Sequence, residues 1–307
     1  MTMDELTSRF GGVFTALITP FKDGEVDTVA YDALVERQLE AGVAGLVPVG
    51  TTGEAATLAD DEADALIART VRLAGGRALV MAGAGANDTK KTVEKVKRAE
   101  AAGADAVLIV TPYYNKPTQA GLIAHYSMAA AATSLPVMLY SVPGRCGVEI
   151  APETCAILMA KHSNIIGIKE AGGSASRVTQ LRAACGDQFI IHSGDDGLTL
   201  PFLSLGAVGV TSVVANVAPR EMVQLVEAWK RGDTTRALKL HELISELTDS
   251  MFLESNPGPV KAALALANLA GPEMRLPMVP VSADNRERLS AVLGRFTSAS
   301  AAFQEMR

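Results

Sequence analysis

Lys169 stands at the end of a run of branched apolar residues, Ile165-Ile166-Gly167-Ile168, inside the stretch NIIGIKEAGG at 164–173. Such a run reads as a buried strand, so it carries an amine from an oily surface into whatever lies above it. An ammonium is disfavoured in apolar surroundings, and a neutral lysine is a nucleophile able to form a Schiff base with a carbonyl. The plainer reading is a strand-end lysine that pairs with Glu170 or reaches for water. Four other stretches follow strand-like runs: GTTGE at 50–54, TPYYN at 111–115, Tyr140 leading into SVPGR at 141–145, and SGDD at 193–196. A glycine-flanked turn with two hydroxyls and free backbone amides suits a carboxylate, a phenol can move protons, and a guanidinium can clamp a second anion. Singly, each has a plainer reading. GTTGE reads equally as a turn with Glu54 at a helix N-terminus, Tyr140 as a core tyrosine, and Arg145 as a solvated charge; Asp195 and Asp196 read best as helix N-caps. Jointly, an amine, a phenol, an anion turn and an arginine form the set that Schiff-base chemistry on a 2-oxo acid needs.

These residues share a site only if the chain brings the strand ends to one rim. Strand-like runs recur at 12–19, 45–49, 78–82, 106–110, 137–140, 165–169, 189–192 and 209–213. Helical segments follow them at 27–41, 60–73, 89–102, 119–132, 152–161, 175–185, 198–205 and 220–230. In the first helix the apolar positions are Ala30, Leu34 and Leu39, with a stop at Gly42. The strands are apolar throughout, as in a parallel sheet covered on both faces. Eight such units predict a closed (β/α)8 TIM barrel over 1–230, with the chemistry at the carboxyl ends of the strands. A doubly wound open sheet is the alternative, but it lacks a chemistry-bearing switch point. A C-terminal helical region, 231–307, is expected to pack on the barrel or on another subunit, broken by Asn256-Pro257-Gly258-Pro259 and by the segment around Pro277 and Pro280. GAGAN at 83–87 lacks the GxGxxG spacing and reads as a strand-to-helix turn.

The 307 residues are 48% hydrophobic and 20% charged, enough for a large core. A net charge of −6 leaves no basic excess for nucleic acid or an anionic membrane. Cys146, Cys155 and Cys185 form no CxxC pair and suit reduced thiols in a cytosol. His125, His162, His192 and His241 are scattered, so no metal or other cofactor is expected. The leader MTMDELTSRF has acidic Asp4 and Glu5 and no apolar core, so it is not read as a signal peptide, and no run is long enough to span a bilayer. A cytoplasmic protein is expected.

GTTGE, TPYYNKP at 111–117, YSVPGR at 140–145, GIKEAGG at 167–173 and SGDD, in this order and spacing, resemble the dihydrodipicolinate synthase family of pyruvate-dependent Schiff-base aldolases. The likeness runs from about Gly12 to Pro280. It implies condensation of pyruvate with L-aspartate 4-semialdehyde, with Lys169 forming the Schiff base and Thr51, Tyr140 and Tyr114 relaying protons. The phenol of Tyr114 would come from a neighbouring subunit, in a tetramer built from tight dimers. Thr52, Arg145, Gly194 and Thr211 would be the substrate-binding positions, Thr52 for the pyruvate carboxylate and Arg145 for that of the aldehyde. Ser141 and Cys146 depart from the family's more usual asparagine and threonine. Sister aldolases, such as sialic acid lyases, 2-keto-3-deoxysugar acid aldolases and hydratase-aldolases, share the lysine and tyrosine, but Thr51 with Arg145 favours the synthase. A non-catalytic relative would be expected to lose Lys169 or Tyr140. The resemblance also implies an L-lysine regulatory site. Asn87 and Tyr113 match it, but Lys91 and Ala63 stand at its acidic and histidine positions, with Glu94 one turn beyond Lys91. Feedback inhibition is expected to be weak or absent.

Overall fold

The computed structural model describes residues 3–305; positions 1 and 2 of the leader and 306 and 307 of the C-terminal region lie outside the described residues. Eight parallel strands close into a barrel: β1 (Gly12–Ala16), β2 (Gly45–Val47), β3 (Leu79–Gly83), β4 (Ala106–Val110), β5 (Val137–Ser141), β6 (Ile165–Glu170), β7 (Ile190–Ser193) and β8 (Gly209–Ser212). Each pairs with its sequence neighbours, and β8 returns to β1 through Gly12↔Gly209. The (β/α)8 expectation is met, and the helices lie within about two residues of their expected bounds. Their starts are set locally. Asp27 accepts from the Val29 and Ala30 amides, Asp88 from Lys91 and Thr118 from Gly121, while proline opens the helices Pro152–Lys161 and Pro219–Lys230. Four elements escaped the sequence reading: the helix Met3–Phe10, a ribbon pairing Phe21–Lys22 with Glu25–Val26, the one-turn helix Pro143–Cys146 and the 3-10 turn Val214–Asn216. Each is too short to show a period.

The strands are buried on both faces. Inside the barrel lie Phe14, Val47, Met81, Leu108, Met138, Ile166 and Ile190, with Leu6 and Phe10 of the first helix in the same cluster. Val13, Leu46, Val80, Val107, Leu139, Ile168, Ile191 and Val210 face outward to the helices. In β6 this alternation breaks. Ile165 and Ile168 both face outward although three positions apart, and the register against β5 slips there, from Val137↔Ile165 to Met138↔Gly167. A bulge of this kind re-aims every later side chain of the strand. Without it Lys169 would point outward among the helices; with it, Lys169 points inward.

After the barrel come helices Thr234–Ser250, Gly258–Leu266 and Ala283–Glu305. The closing seam is held by Asn216, which is 1% exposed. Its amide donates to the Ala16 carbonyl at 2.8 Å and the Val213 carbonyl at 2.9 Å, and its Oδ1 accepts the Ile18 amide at 3.3 Å. Asn216→Ala would strand these buried backbone groups, so a loss of roughly 2–4 kcal/mol is expected in urea unfolding. An unchanged midpoint would show that the seam does not depend on it.

Candidate active site

The carboxyl ends of the strands open into a cavity of about 350 Å³ whose wall includes Thr51, Tyr113, Tyr140, Arg145, Cys146 and Asn256. Lys169 lies just behind this wall, 5% exposed, with Nζ 4.3 Å from the centroid of the Tyr140 ring on the neighbouring strand. The two residues pair directly in register. Lys169 does not pair with Glu170. Consecutive strand residues face opposite ways, and Glu170 turns outward to Arg177, at 3.2 Å, and to the Gly172 amide, at 2.7 Å. Burial pushes the Glu170 carboxyl above its ordinary range, against the pull of Arg177.

The turn at 50–54 is tight. The Gly53 amide bonds the Gly50 carbonyl at 3.1 Å, the Glu54 amide bonds the Thr51 carbonyl at 3.1 Å, and Glu54 has φ +55°. Glu54 does not cap a helix as one sequence reading had it, because the next helix starts at Asp60. Its carboxylate is instead buried against Lys261. Thr51 is on the cavity wall, whereas Thr52 is 3% exposed and its hydroxyl accepts from the Asn256 amide at 3.0 Å. Arg145, exposed on its one-turn helix, donates to the Asn256 carbonyl at 3.0 Å. Asn256 thus joins the threonine turn to the arginine.

The remaining expected site residues are dispersed. Tyr114 is 91% exposed, has φ +75° and is not on its own cavity wall, where Tyr113 stands instead. Thr211 is also off the wall, its hydroxyl bonded to His192 Nδ1 at 3.1 Å. Gly194 donates to the Glu170 carbonyl at 2.7 Å, and a Cβ there would come within 2.7 Å of the Ala171 Cβ and crowd Lys169 Cε at 3.1 Å, so glycine fits this close approach to the end of β6. Asp195 caps a short 3-10 turn by accepting from Gly197, as expected. Asp196 does not; buried, it accepts from the Ser212 hydroxyl and from the Val213 and Val214 amides, tying β7 to the loop after β8. Ser141 accepts the Ile150 amide at 3.4 Å, and the Cys146 thiol donates to the Thr111 carbonyl at 3.1 Å. Burial pushes the Cys146 thiol up to about 11, so it stays protonated. Among the described residues no three His, Cys, Asp or Glu side chains are grouped to hold a metal. A larger groove, about 700 Å³, lies between helices Thr28–Glu40, Pro219–Lys230 and Ala283–Glu305 and contains none of the expected site residues.

A profile of the dihydrodipicolinate synthetase family matches residues 9–295. A 4-hydroxy-tetrahydrodipicolinate synthase of Thermodesulfovibrio yellowstonii is 46% identical over 284 residues, spanning 92% of this chain and 97% of that protein. This chain belongs to the dihydrodipicolinate synthetase family. Among solved structures of the family, the 4-hydroxy-tetrahydrodipicolinate synthase of Methylacidiphilum fumariolicum SolV superposes with a TM-score of 0.95 at 46% identity, covering 96% of this chain and 99% of that one. A dihydrodipicolinate synthase variant described as monomeric gives 0.92 at 43% identity, covering 95% and 98%.

Sequence reasoning missed Asn256, Lys261 and His192. Asn256 registered only as part of a helix-breaking Asn-Pro-Gly-Pro run. Lys261 sits alone in the apolar helical run PVKAALALANLA, the same signal that singled out Lys169. His192 is fully buried, with Nε2 2.6 Å from the Phe10 carbonyl and Nδ1 3.1 Å from the Thr211 hydroxyl. The carbonyl can only accept, so Nε2 carries the proton and Nδ1 accepts from Thr211. Burial holds His192 down to about 4. Because its folded value lies below the unfolded one, its contribution is complete above about pH 6.5 and is lost as pH falls toward 4. Between pH 7 and 5 the protein is expected to lose about 2 kcal/mol of unfolding free energy that a His192→Gln variant does not lose. Equal pH slopes for the two proteins in urea titrations would refute this.

Proposed function

We propose that this chain is a 4-hydroxy-tetrahydrodipicolinate synthase, a lyase that condenses pyruvate with L-aspartate 4-semialdehyde on the way to diaminopimelate and lysine. The observation that carries the reading is the inward-facing, buried Lys169 against the ring of Tyr140, which lines the cavity, in a chain whose relatives bear that name. The Lys169 amine attacks the pyruvate ketone, water leaves, and an imine forms. Loss of a methyl proton gives the enamine, whose carbon adds to the aldehyde. The amine of the second substrate then attacks the imine carbon, closing the ring and releasing Lys169. Tyr140 and Thr51, both on the cavity wall, relay protons with Tyr114. Thr52, Gly194 and Thr211 are assigned to the pyruvate end, and Arg145 to the carboxylate of the aldehyde.

The 91% exposure of Tyr114 supports donation of its phenol to a neighbouring copy. On that reading the unit is a dimer, and a pair of dimers makes a tetramer. One similar structure is described as a monomeric variant, so the fold alone does not require the tetramer. Among the described residues no helix is long and apolar enough to cross a membrane, and a cytoplasmic enzyme without nucleic-acid or membrane partners fits the net charge of −6. Residues 1–230 would be the catalytic barrel and 231–307 a helical region serving it. Sister aldolases are not favoured, because the similar curated proteins carry the synthase name.

Borohydride added with pyruvate is expected to leave a reduced pyruvyl group on Lys169, located by peptide mass analysis; an adduct on another lysine would overturn the mechanism. Arg145→Ala should raise KM for the aldehyde roughly 10–100-fold, the worth of a charged hydrogen bond, while pyruvate trapping survives. Equal loss of both would mean that the arginine serves the first step. L-Lysine, titrated to millimolar levels, is expected to inhibit little. Lys91 is exposed at the start of its helix and would face the ligand's ammonium with a like charge, and Ala63 offers no hydrogen bond. A sub-millimolar inhibition constant would show that another group, such as Glu94, rebuilds the site.

A further inference from the structure

Two buried charges lie outside the chemistry proposed above. Lys261, inside helix Gly258–Leu266, is fully buried; its Nζ meets the Glu54 carboxylate, donates to the Glu273 carbonyl at 2.8 Å and lies 4.3 Å from the Phe21 ring centroid. Glu54 is 6% exposed, and its other oxygen accepts the Arg275 amide at 3.2 Å. Arg275 covers the opposite side of the group. Its guanidinium lies 4.5 Å from the Phe21 ring, forms a fork with Glu62 at 2.6 Å and reaches the Thr57 carbonyl at 3.1 Å. The charged groups around the pair are therefore Arg275 and, beyond it, Glu62, Glu25 and Glu273. Burial depresses the Lys261 ammonium, and Glu54 opposes that pull.

Removing both charges and packing the space with neutral side chains is often harmless to stability, so stability alone does not explain a buried pair. Glu54 is also the last residue of the turn that carries Thr51 and Thr52, and it holds the left-handed backbone that non-glycine residues avoid. Its amide closes the turn on Thr51, and its carbonyl accepts both the amide and the hydroxyl of Thr57. The side chain, anchored more than 200 residues away in sequence, sets which way that strained turn faces.

The geometry points to Glu54 and Lys261 as positioning residues: their pair holds the 50–54 turn so that Thr51 and Thr52 meet the carboxylate of the 2-oxo acid. The inference rests on the carboxylate-holding role given to this turn under the proposed function. Glu54 borders the cavity beside Thr51, but its carboxylate is taken up by Lys261 and the Arg275 amide rather than left free for a ligand. The pair bonds the turn itself and reaches Arg145 only through the Thr52–Asn256 link, so the pyruvate end is the one affected first.

The test uses the full chain and borohydride trapping with pyruvate. The neutral double variant Glu54→Gln/Lys261→Met buries no lone charge. It is expected to keep the wild-type circular dichroism, to need roughly tenfold more pyruvate for half-maximal trapping, and to keep its KM for the aldehyde within about twofold at saturating pyruvate. The single variants add a sign. Lys261→Met leaves a lone buried carboxylate, so its pyruvate half-saturation relative to wild type should worsen as pH rises. Glu54→Gln leaves a lone buried ammonium and should worsen as pH falls. A folded double variant with wild-type pyruvate half-saturation overturns the inference, as does equal weakening toward both substrates. A double variant that does not fold overturns it too, since the pair would then hold the fold rather than the turn. If wild type itself is not trapped, the proposed function falls; if wild type is trapped normally and the double variant matches it, only this inference falls.

Discussion

A buried lysine amine is costly unless it is paired or used, and the site is arranged around keeping Lys169 in that condition. The arrangement depends on a slip of register between β5 and β6. Regular alternation would send Lys169 outward beside the helices, where Glu170 and Arg177 instead form their pair. With the slip, the carboxylate next in sequence is removed to the far side of the sheet, and the amine faces an aromatic ring rather than a counter-charge. Two glycines permit it. A Cβ on Gly167 would lie 2.6 Å from the Ile190 Cβ, and one on Gly194 would crowd the lysine stem.

The surroundings under the amine are kept uncharged. His192, paired with Lys169 in the β6/β7 register, is held neutral by burial, against the pull of the Phe10 carbonyl and with help from the charges of Lys169 and Lys230. Cys146 on the cavity wall is held as a thiol. Charge is concentrated instead where anions would arrive, at Arg145, and where the scaffold must be pinned, at Lys261 with Glu54. In a chain of net charge −6 these local cations matter more than the overall field.

The rim is assembled from distant parts of the chain. Asn256, in the break between two C-terminal helices, holds the Thr52 hydroxyl with its side chain and Arg145 with its backbone. A region that follows the barrel therefore meets both candidate recognition groups. Both bonds are 3.0 Å long, the first neutral and buried, the second partly buried with a charged donor, so they fix geometry across the rim more than they add stability.

Much of this was legible in the sequence. Eight apolar runs followed by helices specify a parallel barrel because strands covered on both faces carry no polar alternation, and Lys169 pointed to chemistry only together with Tyr140, the threonine turn and Arg145 at the ends of the other strands. The same reasoning could not say that it points inward, since the bulge is a relation between β6 and β5 rather than a property of either. Asp196 read as a cap and Glu54 as serving a helix N-terminus because their partners, Ser212 with the amides after it and Lys261, are chosen by closure of the ring and by the return of the C-terminal helices. Residue types and local periods follow from neighbours a few positions away. Register, facing and the pairing of buried charges follow from contacts across 200 residues and more, which exist only once the barrel has closed.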